Sequence, residues 1–295
     1  MADKLAVDGG TPVRTTPFPG RRPYTEREEE LVLEAIRSQN LFGKNGNFVP
    51  QLEEKYAAFM GSGYAQTCTS GTAAVHLALG AVNPDPGDEI ITAPITDPGS
   101  VMPILQQNAV PVFADVDPIT LNMTPESIEE RITDRTRAII LVHLFGRGCE
   151  VDKVAEIAKR HGVTLIEDCA QAHATKYKGK HLGTYGDIGC FSFQQSKHMT
   201  TGDGGITITD DKDTYWRLRL FADKGWDYRY MGERDHAFLA PNYRMNELTG
   251  AVAVAQLEKV RDVVERRIHL GRLLTERIAD APGIIAAMAK LAGEK

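Results

Sequence analysis

The chain has 295 residues, enough for one large domain with a smaller addition and a sizeable core. Hydrophobic residues at 42% and charged residues at 25% are ordinary for a globular protein, and no apolar run is long enough to span a bilayer. A formal net charge of -6, with no basic run carrying interleaved aromatics, argues against nucleic acid as a partner.

The opening MADKLAVDGG lacks the long apolar segment of a signal peptide. The cysteines, Cys68, Cys149, Cys169 and Cys190, show neither CxxC spacing nor the density of a disulfide scaffold. Buried thiols in a soluble cytoplasmic enzyme are the expectation.

In chain order, the first two dozen residues, rich in Gly and Pro, read as an irregular arm, and Glu26–Arg37 reads as a helix. From about Gly63 short apolar runs alternate with amphipathic segments, the pattern of an α/β domain. Strands are predicted at Tyr64–Thr67, Glu89–Ala93, Val110–Ala114, Ala138–His143, Val163–Glu167, Ile188–Phe193 and Gly205–Thr209. Helices are predicted between many of them, among others at Thr72–Val82, Pro125–Arg131 and Val151–His161. A long helix is expected from near Asn246 to about Ile278, broken by Asp280-Ala-Pro-Gly283.

Three stretches carry residues suited to chemistry. Thr69-Ser70-Gly71-Thr72 follows a strand and opens a helix, where unpaired N–H groups and the helix dipole favour an anion. The same residues also read as an ordinary N-cap. Glu167-Asp168-Cys169-Ala170-Gln171 sits at the carboxyl end of a predicted strand, where open α/β sheets bind ligands. Asp168 there suits a protonated ring nitrogen and Gln171 a ring hydroxyl; capping of the following loop is the plainer alternative. Finally Ser192 and Lys197 lie in FSFQQSK, followed by the Gly-rich TTGDGG. A lysine amine in such a turn can form a Schiff base, and Ser192 can add a hydroxyl to a phosphate site. A surface lysine in a β-hairpin is the other reading.

In the order phosphate cup, acidic strand end, lysine in a Gly-rich turn, these motifs resemble the fold type I pyridoxal 5'-phosphate (PLP) enzymes. More specifically the chain is similar to the DegT/StrS-type family of sugar aminotransferases, from about Gly9 to about Val264. The resemblance rests on DGGTPVR, TSGTAAVHLAL, PGDEIIT, PVFADVD, EDCAQAHA, FSFQQSK with TTGDGG, and NYRMNEL. It implies a three-layer α/β/α large domain with a mostly parallel sheet, placed at residues 1–245 with the arm. Residues 246–295 would then hold the long helix and the start of a small C-terminal domain, most of which is expected to be lacking.

The resemblance further implies that Lys197 is the Schiff-base lysine and proton shuttle. Asp168 would pair with the pyridinium nitrogen, Gln171 would contact the ring hydroxyl, and Gly71, Thr72 and Ser192 would hold the phosphate. Asn242 would reach the phosphate of a neighbouring subunit's cofactor in a homodimer with shared sites. The expected reaction moves an amino group from glutamate or glutamine to a keto-sugar, nucleotide-linked in the leading expectation, or a keto-cyclitol. A metal is not expected. Asp97 stands where many relatives carry an aromatic residue, and Gly225–Arg234 reads as a substrate loop, a solvated excursion or a dimer contact. A sugar dehydratase of the same fold, in which histidine replaces the lysine, and a non-catalytic regulatory protein are the alternative readings.

Overall fold

The computed structural model describes residues 4–18, 20–21, 23–227 and 236–281. The strands are β1 (Tyr64–Cys68), β2 (Glu89–Thr92), β3 (Val110–Phe113), β4 (Thr136–Val142), β5 (Thr164–Asp168), β6 (Lys176–Tyr177), β7 (Lys180–His181), β8 (Ile188–Ser192) and β9 (Gly205–Thr209). The helices are α1 (Glu26–Arg37), α2 (Phe48–Met60), α3 (Gly71–Val82), α4 (Met102–Gln106), α5 (Pro125–Glu129), α6 (Val151–His161), α7 (Lys212–Ala222) and α8 (Glu247–Ile278). All seven expected strands are present, each within two residues at its ends. They form one sheet in the order β1-β9-β8-β5-β4-β2-β3, while β6 and β7 make a separate small hairpin. Pairing is parallel from β8 through β3; β9 alone runs against its two neighbours.

Helices cover both faces of the sheet, so nearly all residues of β1, β2, β4, β5, β8 and β9 are buried. On β8 the alternation is direct: Cys190 Sγ lies 3.5 Å from the Ala74 carbonyl of α3, whereas Phe191 packs edge-on against Tyr56 of α2 at 5.4 Å. The middle of α3 is buried all round, from Ala73 to Gly80, where it packs against β8 and β9. In α6 the buried residues Val151, Val154, Ile157 and Ala158 form one stripe, and Gly162 ends the helix at φ 66.

Helix α2 was not among the named expectations, and its start explains why. The backbone N–H groups of Asn47, Phe48 and Val49 all donate to the Glu247 carboxylate, at 2.7–2.8 Å. The first turn of α2 is therefore capped by a buried side chain from the first turn of α8, 200 residues away in sequence. The first part of α8 is buried against α1 and α2, and its later turns are mostly exposed. Among the described residues no helix is long and apolar enough to cross a membrane.

Candidate active site

The carboxyl ends of β4, β5 and β8, the loop after β2 and the first turn of α3 enclose a cavity of about 300 Å³. This is where a parallel sheet gathers its loops and where ligands bind. Of the residues expected from sequence, Gly71, Thr72, Asp168, Gln171, Ser192 and Lys197 all line it. Asn242 does not: it is exposed, and its Oδ1 accepts weakly from the Arg244 N–H at 3.4 Å.

One end of the cavity is the start of α3. Ser70 caps the helix, its Oγ accepting from Ala73 N–H at 3.0 Å. The N–H groups of Gly71 and Thr72 find no acceptor among the described residues, so they point an unsatisfied positive end at the cavity. Ser192 closes against them. A Cβ on Gly71 would lie 2.6 Å from Ser192 Cβ, so only glycine lets this hydroxyl approach the helix end. Capping and anion binding are compatible here, because they use different N–H groups.

At the other end Asp168 terminates β5 and is buried. Its Oδ1 accepts from Ala170 N–H at 3.0 Å, the loop-capping bond, and its Oδ2 accepts from Ser100 Oγ at 2.7 Å. Ser100 was missed in the sequence. No local pattern marks it, since its partner is 68 residues away. Gln171 Oε1 accepts from Phe145 N–H at 2.7 Å, which supports a left-handed backbone there (φ 57) and leaves Nε2 as the free end of the amide.

Behind Asp168, Glu167 is buried and takes four donors: His143 Nε2 at 2.9 Å and the N–H groups of Gly183, Tyr185 and Gly186 at 2.7 Å. Burial opposes its charge, but the His143 contact and the backbone donors hold the carboxyl below its ordinary range. His143, Glu167 and Cys169 bring ligand atoms within 4.8 Å of one another, yet this carboxylate is saturated by hydrogen bonds, the mark of a structural network.

Lys197 lies in the connection between the antiparallel strands β8 and β9, so it is both a hairpin lysine and a cavity lysine. Its loop is gripped from outside. Arg21 of the arm donates to the Gln195 carbonyl at 2.6 Å, Tyr24 to Gln195 Oε1 at 2.8 Å, and Arg267 of α8 to the Ser196 carbonyl at 3.4 Å. No hydrogen bond or ion pair holds the Lys197 amine among the described residues. Two histidines flank the loop. Burial first, then nearby cations, pushes His173 down to about 3 and His198 to about 4. His173 Nε2–H donates to the Ser192 carbonyl at 2.8 Å, joining the segment after β5 to the end of β8 beside α3.

Asp97 sits on the cavity wall and accepts from Gly99 N–H at 2.8 Å. Of the Gly225–Arg234 segment, read as a substrate loop, a solvated excursion or a dimer contact, residues 228–234 lie outside the described residues.

The model of the DegT/DnrJ/EryC1/StrS aminotransferase family matches residues 23–293. The chain is 39% identical over 254 residues to GDP-perosamine synthase of Escherichia coli O157:H7, covering 86% of this chain and 69% of that protein. It is 35% identical to a putative L-glutamine:3-amino-2,3-dideoxy-scyllo-inosose aminotransferase of Streptoalloteichus tenebrarius, covering 96% of this chain and 68% of that protein. Among solved structures it resembles the aminotransferase from Psychrobacter cryohalolentis with a TM-score of 0.84 and 35% identity, covering 90% of this chain and 68% of that one.

Proposed function

Since the chain belongs to the DegT/DnrJ/EryC1/StrS aminotransferase family, we propose that it moves an amino group from glutamate or glutamine to the carbonyl of a keto-sugar or keto-cyclitol. It is a PLP-dependent aminotransferase of fold type I. Both acceptor classes stand, because the similar proteins include a GDP-perosamine synthase and a scyllo-inosose aminotransferase. The observation that carries the assignment of residues is one cavity lined by a helix end, a buried strand-end carboxylate and a lysine, with the helix-end N–H groups and the lysine amine unpaired among the described residues.

That donor set fits the cofactor. The Gly71 and Thr72 N–H groups and the Ser192 hydroxyl suit its phosphate, with Gly71 supplying the close approach that a side chain would block. The Asp168 carboxylate suits a protonated ring nitrogen, the Gln171 Nε2 amide suits the ring oxygen, and Lys197 Nζ suits the carbonyl carbon. Bound there, PLP supplies an electron-withdrawing ring that accepts charge from the carbon losing its proton.

The protein's part is binding and proton transfer. Asp168 offers only acceptor oxygens toward the cavity and so keeps the ring nitrogen's proton in place. Lys197 Nζ takes the substrate proton and returns it at the neighbouring atom, as base and then acid. Its amine has no fixed partner among the described residues, which leaves it free to travel between those atoms. Asn242, exposed and outside its own chain's cavity, is assigned to the phosphate of a neighbouring copy's cofactor in a homodimer.

The test is spectroscopic. Added PLP is expected to give a visible band that Lys197→Ala abolishes, and glutamate or glutamine is expected to bleach it. Keto-sugars and keto-cyclitols then identify the acceptor by restoring the band. A chain that binds no PLP sinks the assignment.

A further inference from the structure

The loop after β2 reaches Asp168 through contacts that the roles above leave unused. Ser100 is buried, with its Oγ 2.7 Å from Asp168 Oδ2. Thr96 Oγ1 lies 2.8 Å from the same Ser100 Oγ. A carboxylate has no proton to give, so Ser100 donates to Asp168. That uses its single proton, and Thr96 must be the donor in the second contact. The direction is thereby fixed: Thr96 O–H to Ser100 Oγ, then Ser100 O–H to Asp168 Oδ2. Ala170 N–H occupies Oδ1, so the carboxylate cannot rotate without breaking a bond at one oxygen or the other.

The same loop touches the opposite end of the cavity. A Cβ on Gly99 would lie 2.6 Å from Thr72 Oγ1, so the loop packs directly on the first turn of α3. Asp97 holds the turn shut by accepting from Gly99 N–H. Thr96, Asp97, Gly99 and Ser100 all line the cavity.

We infer that Ser100 is a positioning residue: at the end of a hydroxyl relay from Thr96, it fixes the Asp168 carboxylate that meets the cofactor's ring nitrogen. The inference rests on the PLP reading given above. Each carboxylate oxygen accepts two hydrogen bonds, so one site on each remains after Ser100 and Ala170 have taken theirs. The charge-assisted Ser100 bond selects the orientation in which a remaining site faces the cavity.

The purified chain titrated with PLP gives two readouts, the dissociation constant and the pH midpoint of the visible band. Ser100→Ala is expected to raise the dissociation constant about tenfold and to move the midpoint. Thr96→Val keeps the side-chain shape and removes only the terminal donor; the expected rise is about threefold. Ser100→Thr retains the hydroxyl and is expected to bind within about twofold of the parent. In an Asp168→Ala background, Ser100→Ala is expected to add less than about twofold, because the residue it acts through is gone. Thermal melting of the cofactor-free variants checks their folding, with Thr96→Val as the milder probe should Ser100→Ala melt early.

Unchanged binding and midpoint in both Ser100→Ala and Thr96→Val overturn the inference. So does a tenfold loss that persists in the Asp168→Ala background, as a general packing defect would give. If the parent chain forms no visible band, the cofactor reading falls and this inference with it; if the parent binds normally and the variants match it, the inference alone falls.

Discussion

The α3 end of the cavity is built from a short contiguous stretch, Ser70–Thr72, closed by Ser192. The Asp168 end draws on Ser100, the Asp168–Gln171 stretch and the Lys197 loop, three separate segments of chain. At the first end the donors are largely backbone N–H groups, whose positions follow once the helix forms and Ser70 caps it. At the second end each function rests on one side chain, and the contacts that hold these segments come from far away in sequence: Asp168 is bonded by Ser100, Gln171 by Phe145, and the backbone of the Lys197 loop by Arg21 and Arg267. The first arrangement is redundant and local, the second precise and dependent on tertiary contacts.

That contrast has measurable consequences. The largest effect is expected at the dispersed end: Asp168→Asn removes the carboxylate proposed to pair with the ring nitrogen and should slow the half-reaction with glutamate or glutamine about a thousandfold, roughly 4 kcal/mol. Single-turnover absorbance measures it, and a loss of only a few-fold would mean that the two ends are equally redundant. Next comes Gly71→Ala at the local end, where the new Cβ must displace Ser192 from 2.6 Å. An overpacking cost of about 1–3 kcal/mol is expected, seen both as a lower thermal midpoint and as weaker PLP binding. Unaltered binding would show that Ser192 has room to yield and that the close approach is dispensable.

The smallest effect probes the link between the ends. His173 at about 3 and His198 at about 4 are held low mainly by burial, whereas an unfolded chain titrates near 6.5. Between those values the unfolded state binds more protons than the folded one, so stability is full above about pH 6.5 and falls as pH drops through the window. For the fully buried His173 the loss by pH 5 is about 2 kcal/mol. Urea unfolding of the cofactor-free chain at pH 7 and pH 5 measures it. His173→Gln, which cannot titrate, is expected to flatten that dependence; an undiminished slope would place the effect elsewhere.

Much of the fold was legible because local patterns carried it. The seven sheet strands are short apolar runs, and α1, α3, α6 and α8 begin at Thr25, Ser70, Glu150 and Asn246 with apolar periodicity behind them. Asn246 Oδ1 accepts from Thr249 N–H at 3.0 Å, a cap visible in the sequence itself. Helix α2 was not named, because its cap is Glu247. Equally hidden was Gln256 of α8, which bonds the Thr200 N–H, the Pro23 carbonyl and Glu28 Oε1, and so joins the arm, α1 and the loop beyond Lys197.

The sequence by itself marked the candidates for chemistry: a helix start at Gly71 and Thr72 suited to an anion, an acid at a strand end, a lysine in a Gly-rich turn. Those properties follow from residue type and from neighbours a few positions away. Only the tertiary structure decided how they are held. Ser100 acts on a carboxylate 68 residues away, and Glu247 caps a helix 200 residues upstream; hydrogen bonds across such distances depend on a few tenths of an ångström that no local pattern encodes.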